Sequence, residues 1–261
     1  MKIISSFSGG LSSAVATERA IKRYGRENVT VWFADTLWED EDLYRFRDEC
    51  LNRWQCEYIE FREGRKPLEV SRAQHVIPNN LISPCVSRLK IRPFETFLKK
   101  FPKPVIVVLG LDWSEEHRTK TPKERYNKIE GTTVDFPLMW RPLEFRSYYQ
   151  IVKLDWGIEP PRLYKMGFSH NNCGGRCIKQ GQGDWRKLKI NFPKRFVECR
   201  DWESEMRRNP VNANYAFLKV KRNKKTYPLP LEELERTWQE ILSDEICANT
   251  SEDMFGCFCG F

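Results

Sequence analysis

The residue types with the clearest chemistry stand at the start of the chain, in the adjacent Ser8, Gly9 and Gly10. A β-branched and aromatic run over residues 2–7 precedes them, and a helix-compatible segment follows. A glycine turn between a strand and a helix directs several backbone N–H groups at one point, where the helix dipole adds partial positive charge. We therefore expect a phosphate-binding loop, with an ordinary tight turn as the alternative. Because the glycines are adjacent, the Walker and dinucleotide spacings are excluded.

A second candidate centre consists of thiols. Cys173 and Cys177 lie in a polar, glycine-bearing loop, Cys85 follows a proline, and Cys257 and Cys259 stand near the C-terminus. Thiolates that converge on one point suit zinc or an iron–sulfur cluster, and sequence alone separates these poorly. The Cys-x-x-x-Cys spacing and the scattered remainder favour a [4Fe–4S] cluster over zinc, and over redox thiols without a metal.

The predicted metal ligands are Cys85, Cys173, Cys177 and Cys257, with Cys259 as a reactive tail thiol. His170 precedes this pair in the same loop and is either an alternative ligand or a residue that orders the loop. The remaining cysteines have no partner at ligand spacing, so we expect packing thiols. They are Cys50, Cys56, Cys199 and Cys247.

Length and composition indicate the size, the compartment and the redox environment of the protein that contains these centres. The chain has 261 residues, enough for one α/β domain with an appendage. No apolar run approaches the length that spans a bilayer, and residues 1–4 lead into the glycine turn rather than a cleavable signal. We therefore expect a cytoplasmic protein without membrane attachment. In a reducing compartment, an odd count of nine cysteines favours metal or thiol chemistry over disulfides.

Four segments in register resemble the adenine-nucleotide alpha-hydrolase superfamily, which includes phosphoadenosine phosphosulfate reductases, DNA phosphorothioation proteins and tRNA thiolation enzymes. Residues 8–13 resemble its pyrophosphate loop (PP-loop), Ser-Gly-Gly-x-Asp-Ser, and residues 33–36 its Asp-Thr after the second strand. Residues 84–93 are similar to its Cys-x-x-x-x-Lys-x-x-Pro segment. Residues 110–118 are similar to its Gly-x-x-x-x-Glu-x-x-Arg.

The resemblance implies a nucleotide site that binds ATP with Mg²⁺. This sequence departs from the family motif at Ser12, where the motif has Asp, and at Leu11, where the reductases commonly have Lys. Asp35 would accept hydrogen bonds from the adenosine, unless it only caps a turn. The implied nucleotide-binding residues are Ser8, Gly9, Gly10, Ser12, Ser13, Asp35, Arg88, Lys90 and Gly110.

The resemblance also implies a mechanism. An acceptor oxygen attacks the α-phosphorus of ATP, pyrophosphate leaves, and sulfur from the cluster or from a cysteine persulfide displaces AMP. Glu116 and Arg118, or Arg88 and Lys90, would stabilise the charge on the phosphates, with surface ion pairs as the alternative. The thiolation and phosphorothioation relatives combine the loop with an iron–sulfur cluster, so the resemblance favours iron.

Predicted strands and helices alternate along residues 1–136, and they position the nucleotide-binding residues named above. The pattern predicts strands over 2–7, 29–34, 57–61 and 105–109, and helices over 12–24, 40–54 and 92–100. This alternation predicts an α/β fold with a doubly wound parallel sheet, whose ligands lie beyond the carboxyl ends of the strands.

Residues 137–261 do not show this alternation of strands and helices, because prolines divide them into short segments. We predict a mostly helical extension that contains the cysteine loop and packs on the carboxyl edge of the sheet. Its predicted helices are 145–154, 185–191, 201–208 and 231–245.

Charge is distributed unevenly. Residues 1–60 have 8 Lys and Arg against 11 Asp and Glu, whereas the rest of the chain has 36 against 25. Basic clusters at 186–189, 194–195 and 219–225 stand among Trp185, Phe192, Phe196, Tyr215 and Phe217. This mixture suits a nucleic acid such as tRNA or DNA. The alternative is a solvated basic face over an aromatic core.

Three classes of function follow from these features. The first is an ATP-dependent thiolation enzyme that acts on a nucleic acid or nucleoside, with a sulfur-donor protein as a further partner. The second is a sulfonucleotide reductase, although the Glu-Cys-Gly-x-His tail of the reductases is missing. The third is a nucleotide-binding ATPase or sensor subunit with structural zinc, which Ser12 in place of Asp favours.

Overall fold

The fold is a parallel sheet with helices on both faces, followed by a mostly helical extension. The computed structural model describes residues 1–143 and 146–243. The five strands lie in the order β3-β2-β1-β4-β5, and all neighbours are parallel. They are β1 (Lys2–Ser6), β2 (Val29–Asp35), β3 (Glu57–Arg62), β4 (Val105–Val108) and β5 (Thr132–Asp135). The winding reverses between β1 and β4, and ligands of such sheets bind at that crevice.

Five helices accompany these strands. They are α1 (Leu11–Tyr24), α2 (Glu41–Trp54), α3 (Pro67–Ala73), α4 (Arg92–Lys100) and α5 (Lys120–Tyr126). A π-helical segment, Val86–Ile91, runs directly into α4. A 3₁₀ segment, Trp113–Arg118, follows β4 and precedes α5.

Alternate residues of the central strands belong to two separate cores. Ile3 and Val31 pack with residues of α1 and α2, including Phe46, whereas Ile4 and Trp32 pack with residues of α4 and α5. Every residue of β2 is buried. Near-continuous apolar strands of this kind are typical of parallel sheets that helices cover on both faces.

The described part of the extension, residues 137–143 and 146–243, contains five α-helices and one β-hairpin. The helices are α6 (Tyr148–Gln150), which a π-helical turn Ile151–Asp155 continues, α7 (Arg162–Lys165), α8 (Gln182–Asn191), α9 (Pro193–Arg207) and α10 (Leu231–Ser243). The hairpin pairs β6 (Leu218–Arg222) with β7 (Lys225–Leu229) in antiparallel register.

The extension shares a hydrophobic core with residues of the nucleotide half such as Trp38 and Leu89, and three parallel aromatic rings of the extension lie in this core. Phe217 stacks between Trp185 and Trp202, with ring centroids 5.7 Å apart on each side. Trp185, Phe196 and Phe217 are at most 2% exposed. The buried aromatic residues of the predicted nucleic-acid surface are therefore core residues, as the alternative interpretation holds.

The predicted fold class is confirmed. All four predicted strands and all three predicted helices of residues 1–136 are present, but sequence patterns missed β5 and the hairpin. In the extension, the predicted helix 201–208 is the end of the longer α9, and the segment predicted as 145–154 is α6 with its π-helical turn. No helix of residues 1–143 and 146–243 is sufficiently long and apolar to cross a bilayer.

Candidate functional site

The candidate site lies at the carboxyl edge of the sheet. Ser8 and Gly110 follow the ends of β1 and β4, and Asp35 is the last residue of β2. Because these strands are parallel neighbours, all three residues stand on one edge, beside the crevice between β1 and β4. This is the arrangement that the sequence predicts.

The glycine loop is organised by Ser13, the third residue of α1. Its hydroxyl accepts a hydrogen bond from the backbone N–H of Ser8 at 3.2 Å, donates to the carbonyl of Gly10 at 2.9 Å, and lies 3.0 Å from Ser8 Oγ. Gly9 has a φ of +78°, which favours glycine. A Cβ there would also lie 2.7 Å from Leu43 of α2. Both constraints hold the loop in one shape.

Gly10 is the N-cap of α1, and it gives the first turn no side-chain hydrogen bond. The Leu11 N–H donates to the hydroxyl of Tyr164, 3.4 Å away in the extension. Amides at such a helix start attract an anion of phosphate size. The extension therefore contributes a polar group at the point where the sequence predicts phosphate binding.

Gly110 brings the end of β4 against the start of α1. A Cβ at Gly110 would lie 2.7 Å from Ser13 Cα and 2.8 Å from Ser13 N. These are backbone atoms, so no side chain can move aside. Gly110 contributes to the site by close backbone packing, in addition to any contact with nucleotide.

Asp35 has protein partners for both carboxylate oxygens. Oδ1 accepts from the Leu37 N–H and the Tyr44 hydroxyl, each at 2.8 Å, and Oδ2 lies 3.1 Å from Arg62 Nε. Asp35 is 4% exposed. The burial of Tyr44 raises the pKa of its hydroxyl, and the hydrogen bond to Asp35 raises it further. These contacts match the turn-cap alternative, while the predicted contact with adenosine stays a prediction.

The loop after β2 holds the extension against the nucleotide half. The fully buried Asp40 caps α2 through the Asp42 N–H. It also accepts from Arg162 at 2.9 Å and from Arg195 at 2.6 Å. Burial alone would raise the pKa of Asp40, but hydrogen bonds from these two arginines outweigh it and hold the pKa below its usual value. A buried carboxylate with such partners is a firm anchor between the two parts.

The cysteine loop is fixed to the same edge by two contacts. Glu39 accepts from the Cys173 N–H and from the Thr36 hydroxyl. Asn171 donates from Nδ2 to the Gly9 carbonyl at 3.2 Å, is 2% exposed, and has no hydrogen-bond partner at Oδ1 among the described residues. These contacts join the thiols to the glycine loop.

Three of the four predicted metal ligands line one cavity. Cys85, Cys173 and Cys177 are at most 9% exposed, and they surround a cavity of about 20 Å³ with Thr36, Trp38, Lys90 and Arg176 among its other lining residues. The Arg176 guanidinium also stacks on the Trp38 ring, 4.2 Å from its centroid. Two cations beside three thiols form an environment that suits anionic sulfur ligands.

The described residues do not form a complete metal site. Among residues 1–143 and 146–243, no three His, Cys, Asp or Glu side chains are arranged to hold an ion. The predicted ligand Cys257, the predicted catalytic Cys259 and the packing thiol Cys247 lie outside the described residues. His170 accepts from the Asn172 N–H at 3.4 Å, which is the loop-ordering alternative.

Two of the predicted packing thiols lie fully inside hydrophobic cores. Cys50 packs in the core of α1 and α2, and burial raises its pKa. Cys199 packs in the core of the extension, where burial raises its pKa well above the usual value. Cys56 is half-buried.

The charged residues predicted around the phosphates occupy different positions. Lys90 lines the thiol cavity, whereas Arg88 is exposed. Arg118 pairs with Glu115, and Glu116 is exposed. The catalytic roles of Glu116 and Arg118 stay predictions.

Sequence analysis missed four residues that build this site: Glu39, Asp40, Tyr164 and Asn171. The acidic run before α2 was visible, but it predicts only a helix start. Tyr164 and Asn171 reach the glycine loop from more than 150 positions along the chain. The one available signal was the polar Asn171-Asn172 pair beside the thiols.

Comparison with known proteins identifies the family. A family model for the phosphoadenosine phosphosulfate reductase domain matches residues 2–170. The chain belongs to this family. The match includes the glycine loop, Asp35, Cys85 and Gly110, and it confirms the assignment to the adenine-nucleotide alpha-hydrolase superfamily. This member therefore has the nucleotide-binding PP-loop fold.

The other comparisons are distant. No curated protein matches the chain. A solved NH3-dependent NAD synthetase from Campylobacter jejuni, in complex with the nitrate ion, is 16% identical with a TM-score of 0.40. The alignment covers 85% of this chain and 89% of that chain.

Proposed function

We propose that this family member binds ATP with Mg²⁺ at residues 8–13, cleaves the bond between its α- and β-phosphates, and adenylates an acceptor so that sulfur can replace the adenylate. One observation carries the proposal. Asn171 bonds to the Gly9 carbonyl only two residues before Cys173, so nucleotide loop and thiol set share one edge. Such proximity suits chemistry that joins sulfur to an activated group.

Different residues in and near the glycine loop would have different roles in binding and cleaving ATP. Amides at the start of α1 would hold the phosphates, and the Ser12 and Ser13 hydroxyls would stand beside them. Mg²⁺ keeps several waters and binds largely through phosphate oxygens, so Ser12 in place of Asp is compatible with it. Lys90, a predicted nucleotide-binding residue, and the predicted catalytic residues Arg118 and Glu116 would act on the charge of the leaving pyrophosphate.

The thiol set fits a metal by the chemistry of its donors. Cys85, Cys173 and Cys177 would hold it, with Cys257 as the fourth ligand or His170 as its substitute. Soft thiolates select zinc or iron–sulfur centres, and we propose a [4Fe–4S] cluster, with zinc as the alternative. The cavity of about 20 Å³ has room for about one water, so the cysteine loop would have to open to admit a cluster. When bound, a cluster supplies redox or sulfur-handling chemistry, whereas zinc supplies folding energy.

A nucleic acid, tRNA or DNA, is the acceptor that we propose, and the basic excess of the chain beyond residue 60 supports it. A sulfur-donor protein that carries a cysteine persulfide would be a further partner. The Cys259 thiolate would attack its outer sulfur, so that a persulfide forms on Cys259 and the donor cysteine leaves as a thiolate. The cytoplasm is the proposed location, because thiols remain reduced there.

The test is to identify the products and the metal together. Anaerobically purified protein is incubated with ATP, Mg²⁺, bulk tRNA and sulfide, and AMP, ADP and pyrophosphate are quantified beside the iron, sulfide and zinc content. We expect AMP and pyrophosphate in equal amounts, with iron and sulfide in the protein. ADP would contradict the adenylation step, and stoichiometric zinc without AMP would favour the nucleotide-sensor alternative.

A sulfonucleotide reductase is the second candidate, because the matching family model is named for that activity. In this case the bound adenosine phosphosulfate is itself the substrate, and a tail thiol attacks its sulfur. Sulfite release from adenosine phosphosulfate or phosphoadenosine phosphosulfate, with thioredoxin as reductant, would select it. The positive excess beyond residue 60, which a small nucleotide substrate does not need, is the reason to place it second.

A further inference from the structure

The β6–β7 hairpin is a basic projection with a buried base. Leu218 and Leu229, which pair across the base, belong to the core of the extension. At the tip, Asn223 and Lys224 both have positive φ, 49° and 63°. A two-residue turn with two positive φ angles matches the twist of its strands and gives a well-defined hairpin. The base therefore holds the tip in a fixed position.

The charge on this hairpin has one sign. Residues 218–229 contain no Asp or Glu, and their five cations are Lys219, Lys221, Arg222, Lys224 and Lys225. Across the described part of the chain, none of the four lysines forms an ion pair, while Arg222 lies 3.3 Å from Glu233. An unneutralised cluster of this kind attracts a polyanion.

The other basic cluster of the extension is largely neutralised. Lys187 pairs with Asp184 at 2.9 Å and also donates to the Gly167 carbonyl. Lys189 pairs with Glu235 at 2.9 Å. Of Arg186, Lys187 and Lys189, only Arg186 is exposed. The sequence favours α8 and the hairpin equally as a polyanion surface, whereas the ion pairs favour the hairpin.

A groove beside the hairpin has an aromatic wall. It has a volume of about 450 Å³, and its lining includes two arginines, Arg207 and Arg222, and one acidic residue, Glu233, beside Tyr227 and Pro228. Tyr227 is 44% exposed, so part of its ring is accessible to a flat ligand. A basic groove with an accessible aromatic ring is the combination that holds a single strand, because unpaired bases stack on the ring while cations contact the phosphates.

We propose that the β6–β7 hairpin and this groove bind single-stranded nucleic acid, with Tyr227 stacking on one base. The inference rests on the proposed function in that it gives the acceptor a docking surface. It is tested by binding alone, without ATP, so that its failure and the failure of the adenylation chemistry are distinguishable.

The first test neutralises the hairpin. In the full chain, Lys219, Lys221, Lys224 and Lys225 are changed to Gln, and anisotropy is measured with fluorescent RNA and DNA single strands of about 16 nucleotides. The plot of log affinity against log salt should lose about 3 units of slope, since each phosphate contact of a single strand contributes about 0.7. The control changes four exposed lysines of the nucleotide half, Lys99, Lys100, Lys120 and Lys128, to Gln. An unchanged hairpin variant, an equal loss in the control, or no binding by the wild type at about 50 mM salt would overturn the proposal.

The second test addresses stacking. Tyr227→Ala should weaken single-strand binding about 5- to 150-fold, because stacking of one base contributes about 1–3 kcal/mol, and Tyr227→Phe should restore most of it. Circular dichroism confirms that both variants fold. Equal loss in Tyr227→Ala and Tyr227→Phe, or equal affinity of the wild type for a duplex of the same length, would overturn the assignment to single strands.

Discussion

Glu39 Oε2 accepts a hydrogen bond from the backbone N–H of Cys173 at 2.5 Å. The other oxygen, Oε1, accepts from the Thr36 hydroxyl at 2.8 Å. Burial raises the pKa of Glu39, and the positive charge of Lys90 opposes this shift. One carboxyl group thus positions the first thiol of the cysteine loop relative to the strand that carries Asp35.

Replacing Glu39 should loosen the thiols without removing them. Glu39→Gln has one carbonyl oxygen where the carboxyl group has two acceptors, so either Thr36 or Cys173 loses its partner. A buried donor without an acceptor costs about 1–3 kcal/mol. We expect a lower midpoint in urea unfolding and faster reaction of Cys173 with a thiol reagent, followed by mass spectrometry. Glu130→Gln, at an exposed position, is the control, and identical labelling rates in the two variants would contradict the link.

Gly110 provides a test of the crevice between β1 and β4. In Gly110→Ala, the new Cβ would stand 2.7 Å from Ser13 Cα, so the end of β4 must move away from the start of α1. We expect at least a tenfold loss of ATP affinity in calorimetry, together with a loss of stability. Gly183→Ala is the matched control, because a Cβ there meets no atom within 4 Å. Equal ATP affinities would show that the backbone contact does not shape the site.

Sequence periodicity could predict the sheet because an amphipathic helix follows each of its first two strands, α1 after β1 and α2 after β2. It missed β5, whose four residues Thr132–Asp135 are partly polar and lie at the sheet edge. Its register with β4 comes from tertiary pairing rather than from local pattern. The hairpin was missed because the alternation in Leu218–Arg222 is short and Pro228 interrupts the pattern of the second strand.

The site was predictable only where local geometry determines it. Ser8, Gly9 and Gly10 form a loop through contacts within six residues. Asn171 is 162 positions from Gly9 in the sequence, so no local sequence pattern could predict the hydrogen bond between them. The same applies to Asp40, whose partners Arg162 and Arg195 belong to the extension.

The thiols divide into two groups that should behave differently. We expect Cys173→Ser and Cys177→Ser each to lose bound metal and to loosen the extension, since metal binding adds folding energy to a loop of this kind. Cys50→Ser should keep the metal, because Cys50 belongs to the separate core of α1 and α2. Metal analysis and limited proteolysis measure both effects. Cys199 is a weaker control, as it shares the core that contains Cys173, and similar metal loss in Cys50→Ser would contradict the grouping.

Glu203 of α9 joins the base of the hairpin to α10. Its carboxyl group accepts from the Phe217 N–H and from the Leu231 N–H, each at 2.6 Å. Burial raises the pKa of Glu203 from 4.5 to about 7, although these two hydrogen bonds and Arg207 oppose the shift. A raised folded-state pKa means that the folded protein binds this proton more tightly than the unfolded chain.

Stability should therefore depend on pH through Glu203. The contribution of its bound proton is fully present below pH 4.5 and is lost as the pH rises through about 7, a change of about 3 kcal/mol by linkage. Glu203→Gln cannot titrate, and it leaves one backbone N–H without an acceptor. We expect the variant to be less stable than the wild type at low pH and the difference to shrink, or to reverse, as the pH rises from 5 to 8. Urea unfolding at several pH values measures this difference, with Glu130→Gln as the control. If the unfolding free energies of wild type and Glu203→Gln run parallel across that range, the carboxyl group of Glu203 does not titrate there.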